Sequence, residues 1–171
     1  FSADDGDHGV ELWKTDGTNA GTVMVKNIGI EEDLTPLPPP VPISGNPQEL
    51  TVFNGSLYFV ANDVDYQGYG QGVELWKTDG TEVGTVVVMN IAVEDPANPA
   101  LDPDVAVDSF PHELTVFDGA LYFAATDGEY GPAQYGVEPW KTGGTEANTG
   151  IVKDIGIDPV NAASAYDSSP E

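Results

Sequence analysis

The sequence predicts an all-β chain of tandem four-stranded antiparallel meanders, propeller-blade-like, in three repeats. Three observations predict it. First, Val10-Glu11-Leu12-Trp13-Lys14-Thr15-Asp16-Gly17-Thr18 returns as Val73 to Thr81 and, altered, from Val137 to Thr145, with Trp13, Trp76 and Trp140 spaced 63 and 64 residues apart. Self-similarity at a fixed period is the signature of repeat architecture. Second, the block Glu49 to Phe59 matches Glu113 to Phe123, and each block holds two short apolar runs around Asn54-Gly55 or Asp118-Gly119. Such dipeptides tolerate positive φ and mark tight hairpins. Third, Leu57-Tyr58-Phe59-Val60-Ala61 and Thr85-Val86-Val87-Val88-Met89 have no polar side, so the sheets they form need cover on both faces.

Each element follows from local chemistry. Leu50 to Phe53 is the first strand of a period, and Asn54-Gly55 turns it into the second, Leu57 to Ala61. The third, Val73 to Thr78, turns at Asp79-Gly80-Thr81 into the fourth, Thr85 to Ile91. The repeats run 1–58, 59–122 and 123–171, the first entered partway through its meander and the third ending ahead of its hairpin. Pro-rich connecting loops at 35–47 and 95–111 read as extended, polyproline-like chain. Both termini fall inside one repeat, short of a full period by about nine residues. The expectation is three periods of a longer repetitive chain, or a protomer completed by a neighbour. Closed propellers have at least ~4 blades, so three periods imply part of a larger propeller or an open array or fibre.

Composition narrows the setting. The 171 residues include 29 Asp plus Glu, 5 Lys, no Arg and no Cys, for a formal charge of -24. That field repels nucleic acid and anionic membrane. No apolar run approaches the ~20 residues that span a bilayer, so membrane insertion is not expected. The absence of Cys excludes disulfides, Cys-ligated metal and a thiol nucleophile. A cation-containing extracellular or cell-surface location is expected.

The string Glu-Leu-Trp-Lys-Thr-Asp-Gly-Thr, followed by Gly21-Thr22 or Gly84-Thr85, resembles the ELWxxDGT repeat of large bacterial secreted and surface proteins. With the Leu-Thr-Val-Phe-(Asn/Asp)-Gly-x-Leu-Tyr-Phe block, the resemblance covers nearly all of the chain outside the Pro-rich loops. It implies an exported, propeller-like β-repeat protein and no particular activity. The third copy departs from the pattern, with Pro139 for Leu, Gly143 for Asp and Asn148 for Gly.

The candidate metal residues are acidic pairs two residues apart: Asp5 and Asp7, Asp63 and Asp65, Asp127 and Glu129. They offer hard oxygens on one side of a turn, suited to Ca²⁺ once backbone carbonyls complete a shell of about six to eight. The plainer reading is ordinary loop acidity. As the acid and base of a glycosidase, three near-copies are too many, since one active site needs one special pair. Trp13, Trp76 and Trp140 read as sheet-packing residues in preference to sugar-stacking platforms. Asp16-Gly17 and Asp79-Gly80 read as turns in which carboxylates accept backbone N–H groups, and Gly144 keeps that turn in the third copy. Lys14, Lys77 and Lys141 follow the tryptophans and are expected to pair with local carboxylates or lie along the indole. His8 and His112 read as surface residues. Asn54-Gly55-Ser56 is a glycosylation-type sequon, while Thr35, Ser44, Ser168 and Ser169 beside prolines are O-glycan candidates.

No Ser-His-Asp order, phosphate loop or zinc spacing is present, so no catalytic residue is assigned. The function expected is that of an extracellular structural or adhesive repeat protein, self-associating through strand or blade complementation and stabilised by Ca²⁺. The alternative is a propeller module binding carbohydrate or another ligand, with Tyr66, Tyr69, Tyr130 and Tyr135 lining a pocket.

Overall fold

The computed structural model describes residues 1–29, 42–65, 68–92, 106–127, 136–153 and 155. They form three antiparallel sheets of three, four and four strands, none closed into a barrel. The first sheet joins β1 (Ser2–Asp4), β2 (Val10–Lys14) and β3 (Val23–Lys26). The second joins β4 (Gln48–Phe53), β5 (Ser56–Asn62), β6 (Val73–Thr78) and β7 (Val86–Met89). The third joins β8 (His112–Phe117), β9 (Ala120–Ala125), β10 (Glu138–Thr142) and β11 (Thr149–Ile151), with a 3₁₀ turn at Glu146–Asn148. Every strand pairs with its neighbours in chain order, the meander expected. The repeat boundaries drawn at 58/59 and 122/123 cross β5 and β9, because they mark the phase of residue 1 and not the edges of a sheet.

The register is the same from sheet to sheet. Phe59 lies opposite Trp76 and Phe123 opposite Trp140, and each pair stacks at 6.4 Å between ring centroids. The β4–β5 and β8–β9 turns place Asn54 and Asp118 at φ 53° and 46°, each followed by a positive-φ glycine, the conformation a tight two-residue hairpin demands. The ladder slips between Gln48 and Thr51 and again between His112 and Thr115. Within each slip a non-glycine residue, Glu49 or Glu113, sits at positive φ. Such bulges bend the strand and sharpen its twist.

Two apolar layers separate the three sheets. One gathers Leu12, Val25 and Ile28 of the first sheet against Phe59, Ala61 and Trp76 of the second. The other gathers Phe53, Tyr58, Leu75, Val88 and Ile91 against Leu121, Phe123, Ala125 and Trp140 of the third. Alternate residues of β5 therefore serve opposite neighbours: Phe59 and Ala61 face the first sheet and Tyr58 faces the third. This is why β5 reads as a continuous apolar run. The central sheet is covered twice, while each outer sheet keeps one face against solvent.

Candidate functional site

The chemistry-bearing residues gather at the two sheet junctions. The Asp-Gly-Thr turns come first. Asp16 Oδ1 accepts the Thr18 N–H and hydroxyl at 2.9 and 2.7 Å, and Asp79 does the same for Thr81 at 2.8 and 2.7 Å. These bonds hold both carboxylates below the usual range. The threonine hydroxyl then accepts the N–H of Gly21 or Gly84. A Cβ on either glycine would collide with the aspartate carboxyl group. In the third sheet the acceptor is exchanged: Gly143 carries no carboxylate, and Asn148 Oδ1 accepts the Thr145 N–H at 2.8 Å. A Cβ on Gly143 would meet the Asn148 amide at 2.7 Å. The turn therefore keeps its acceptor and supplies it from the opposite end, so Gly143 for Asp and Asn148 for Gly are one linked exchange. These aspartates are turn residues.

Two of the three lysines that follow a tryptophan reach across a junction. Lys14 Nζ donates to the Gly80 carbonyl and Lys77 Nζ to the Gly144 carbonyl, both at 2.6 Å. The partner is a backbone carbonyl on the following sheet, and not the local carboxylate expected from the recurrence of Glu. Above the second of these bonds the Tyr58 hydroxyl lies where a Cβ on Gly144 would stand. Trp76 and Trp140 are buried inside the junctions, as packing residues should be, and Trp13 is half-exposed on the outer face of the first sheet.

Sequence reasoning missed the role of the recurring glutamates. Glu11, Glu74 and Glu138 are all buried. Glu11 accepts the N–H groups of Ile28, Gly29 and Gly45 at 3.0, 3.0 and 2.8 Å. Glu74 accepts those of Ile91 and Ala92 at 3.2 and 3.3 Å and the Ser109 hydroxyl at 2.6 Å. Glu138 accepts the Ile155 N–H at 2.8 Å. Each of the first two clasps the exit of one sheet to the chain entering the next. Burial pushes Glu74 up to about 8 and raises Glu11 in the same direction, against the opposing pull of these donors. The available signal was a carboxylate at a fixed offset inside an apolar strand, which demands buried donors.

Three carboxylates of the acidic pairs, Asp5, Asp63 and Asp65, close loops. Asp5 Oδ1 accepts the N–H groups of Asp7 and His8 at 2.9 Å while Oδ2 pairs with His8 Nδ1 at 2.8 Å, and these bonds lower Asp5 to about 2. Asp63 Oδ1 accepts from Gln71 and Gly72 at 2.6 and 3.0 Å, and Asp65 Oδ1 from Tyr69 at 2.9 Å. Among the described residues no group of three or more His, Asp or Glu side chains could hold a metal ion. Oxygens already committed to backbone donors fit a cation shell poorly. Glu129, Tyr66, Tyr130 and Tyr135, the prolines at 36–40, most of the 95–111 loop, Thr35, Ser168 and Ser169 lie outside the described residues. Asn54 is exposed at the β4–β5 hairpin tip, Ser44 accepts the Val10 N–H, and His112 is exposed.

A cleft of about 290 Å³ opens between the first two sheets, lined by Trp13, Lys14, Val25, Val52, Leu57 and Asp79 among others. Its Lys14 and Asp79 head groups already bond to protein. No family model, no curated protein and no solved structure matches this chain. Among the described residues no helix is long and apolar enough to cross a membrane.

Proposed function

We propose that this chain is a structural or adhesive module of an extracellular repeat protein, in which blade-like sheets stack one upon the next. One observation carries the reading: the same contact, lysine ammonium to glycine carbonyl of the following sheet, is made at 2.6 Å at both junctions. Identical nearest-neighbour contacts are how a stacked array extends, since each unit interacts only with those beside it. The resemblance to ELWxxDGT repeats of exported bacterial proteins and the Cys-free, acidic composition support an extracellular setting. Calcium enters the proposal as a stabilising counter-ion for the charge of -24, and Asn54 as a glycan acceptor where the host glycosylates such sites.

The test is localisation. Antibody raised against the chain should label intact, unpermeabilised cells, and electron microscopy should place the label on surface material. Label found only after permeabilisation overturns the proposal. The carbohydrate alternative draws on one feature, the cleft between the first two sheets. Binding on a glycan array that is lost in Val52→Asp, a change at an exposed residue of the cleft, with the fold intact by circular dichroism, would establish it.

A further inference from the structure

The inner and outer faces of the three sheets can be compared residue by residue, because the register is the same. On the central sheet Phe53 and Ile91 are 6% and 3% exposed beneath the third sheet. Their counterparts on the outer face of the third sheet, Phe117 and Ile155, are 69% and 68% exposed. The Phe53–Tyr58 ring pair at 5.6 Å is repeated by Phe117–Tyr122 at 6.4 Å. At the opposite end, Phe59 and Phe123 are 0% and 4% exposed, whereas Phe1, which holds the same place opposite its tryptophan, is 49% exposed. Met24 and Trp13 lie half-exposed beside it.

The polar groups show the same directional remainder. Lys14 serves Gly80 and Lys77 serves Gly144. Lys141 is exposed at the end of the third sheet and makes no such bond among the described residues, and the carbonyl of Gly17 in the first sheet receives none. The Tyr58 hydroxyl covers Gly144, while Gly17, like Gly80, has nothing within 4 Å of its Cβ position. The two ends of the stack therefore match the two halves of the junction already seen between its central and third sheets, except that the first sheet has no counterpart of β8.

We infer that a second copy of this chain docks head-to-tail: the outer face of the third sheet, with Phe117, Tyr122 and Lys141, receives the outer face of the first sheet of the next copy, with Phe1, Trp13 and the Gly17 turn. The occupant is a second copy because one chain carries the third-sheet half of an established junction and, apart from a counterpart of β8, the matching half on the first sheet, apolar residues and hydrogen-bonding groups alike. A contact between unlike faces is heterologous, so it propagates instead of closing as a twofold dimer. The charge of -24 opposes it, and raising salt from about 0.05 M to about 1 M should strengthen it as the screening length falls toward ~3 Å. This inference rests on the stacked-array reading but is tested separately from it.

Sedimentation velocity of the purified chain, over a wide concentration range at both salt levels, is the experiment. Dimers and longer species should grow with concentration and with salt. Phe117→Asp and Phe1→Asp change exposed residues, and each alone should weaken association at least tenfold. Mixed in equal amounts, the two variants should form one heterodimer and nothing longer, because each retains one intact face. Lys141→Ala should weaken association with no change in the monomer's melting temperature. A chain that stays monomeric throughout, or a Phe117→Asp or Phe1→Asp variant that still self-associates, overturns the inference. Monomers in solution would leave surface labelling of cells unaffected, so the two readings fail independently.

Discussion

At the Asp79 turn a single carboxylate oxygen holds the Thr81 N–H and hydroxyl, and the third sheet solves the same problem with Asn148 in place of Gly84. The pair is thus an exchange between two positions, and a mutant cycle reads it directly. Asp79→Gly should cost about 0.5–1.5 kcal/mol for the lost acceptor. Gly84→Asn should cost about 1–3 kcal/mol, because its side chain enters the space of the Asp79 carboxyl group. Together they should recover most of the loss, a coupling of about 0.5–3 kcal/mol by urea denaturation; additive costs would refute the exchange. Glu74 gives a second prediction at this scale. Its native pKa of about 8 stands above the ordinary 4.5, so the folded state holds more protons than the unfolded state between those values. Stability from this group is full below about pH 4.5 and is lost as pH rises through about 8. The protonated acid has a partner, since Ser109 Oγ lies 2.6 Å from Glu74 Oε2 and 3.2 Å from the Val73 carbonyl, and neighbouring Asp108 pushes the same way. Urea midpoints of wild type and Glu74→Gln, compared from pH 5 to 9, isolate the group from the general acidic repulsion they share. The wild-type midpoint should fall relative to the variant; parallel curves would show an ionised Glu74. The turn aspartates were legible in the sequence because Asp-Gly-Thr encodes its own local hydrogen bonds. The glutamates were not, since their donors, such as Gly45 and Ser109, lie about half a period away along the chain.

Strands and turns were the most legible elements. Val73–Thr78 was predicted to the residue, and the other strands of that sheet differ from prediction by no more than two residues at either end, where ladders fray. What the sequence could not show is which neighbour each side of β5 meets, because a strand buried twice has no polar face to orient it. The long-range partner of each lysine was hidden for the same reason: Lys77 and Gly144 are 67 residues apart. Their bond predicts an asymmetry between elements. Lys77→Met should destabilise the chain by about 1 kcal/mol, the lower range for a charge-assisted bond discounted for partial exposure. Lys141→Met, which removes an exposed lysine without a bonded partner among the described residues, should stay within about 0.5 kcal/mol under dilute conditions. Thermal or urea unfolding at low protein concentration distinguishes them, and equal effects would mean that the cross-sheet bond contributes nothing.

Across the whole molecule the charge of -24 is not neutralised by internal pairing. Lys14 and Lys77 spend their ammonium groups on carbonyls, and the one ion pair among the described residues is His8 with Asp5. Self-repulsion of this kind is relieved by screening, because compaction brings the like charges closer than they lie in the unfolded chain. Stability at pH 7 should therefore rise steadily with sodium chloride between about 0.05 M and about 1 M. In a chain of this length a gain of about 1 kcal/mol appears as roughly 2–4 °C in Tm. Calcium separates two causes of the same trend. If it acts only through ionic strength, calcium and sodium chloride at matched ionic strength give one melting curve. Any ion that binds the folded chain preferentially adds a concentration-dependent gain on top. The calcium-stabilised reading predicts that gain and its reversal by chelator. Coincident curves would remove calcium from the proposal and leave Asp5, Asp63 and Asp65 as loop-closing residues, the role their carboxylates already perform by accepting backbone N–H groups.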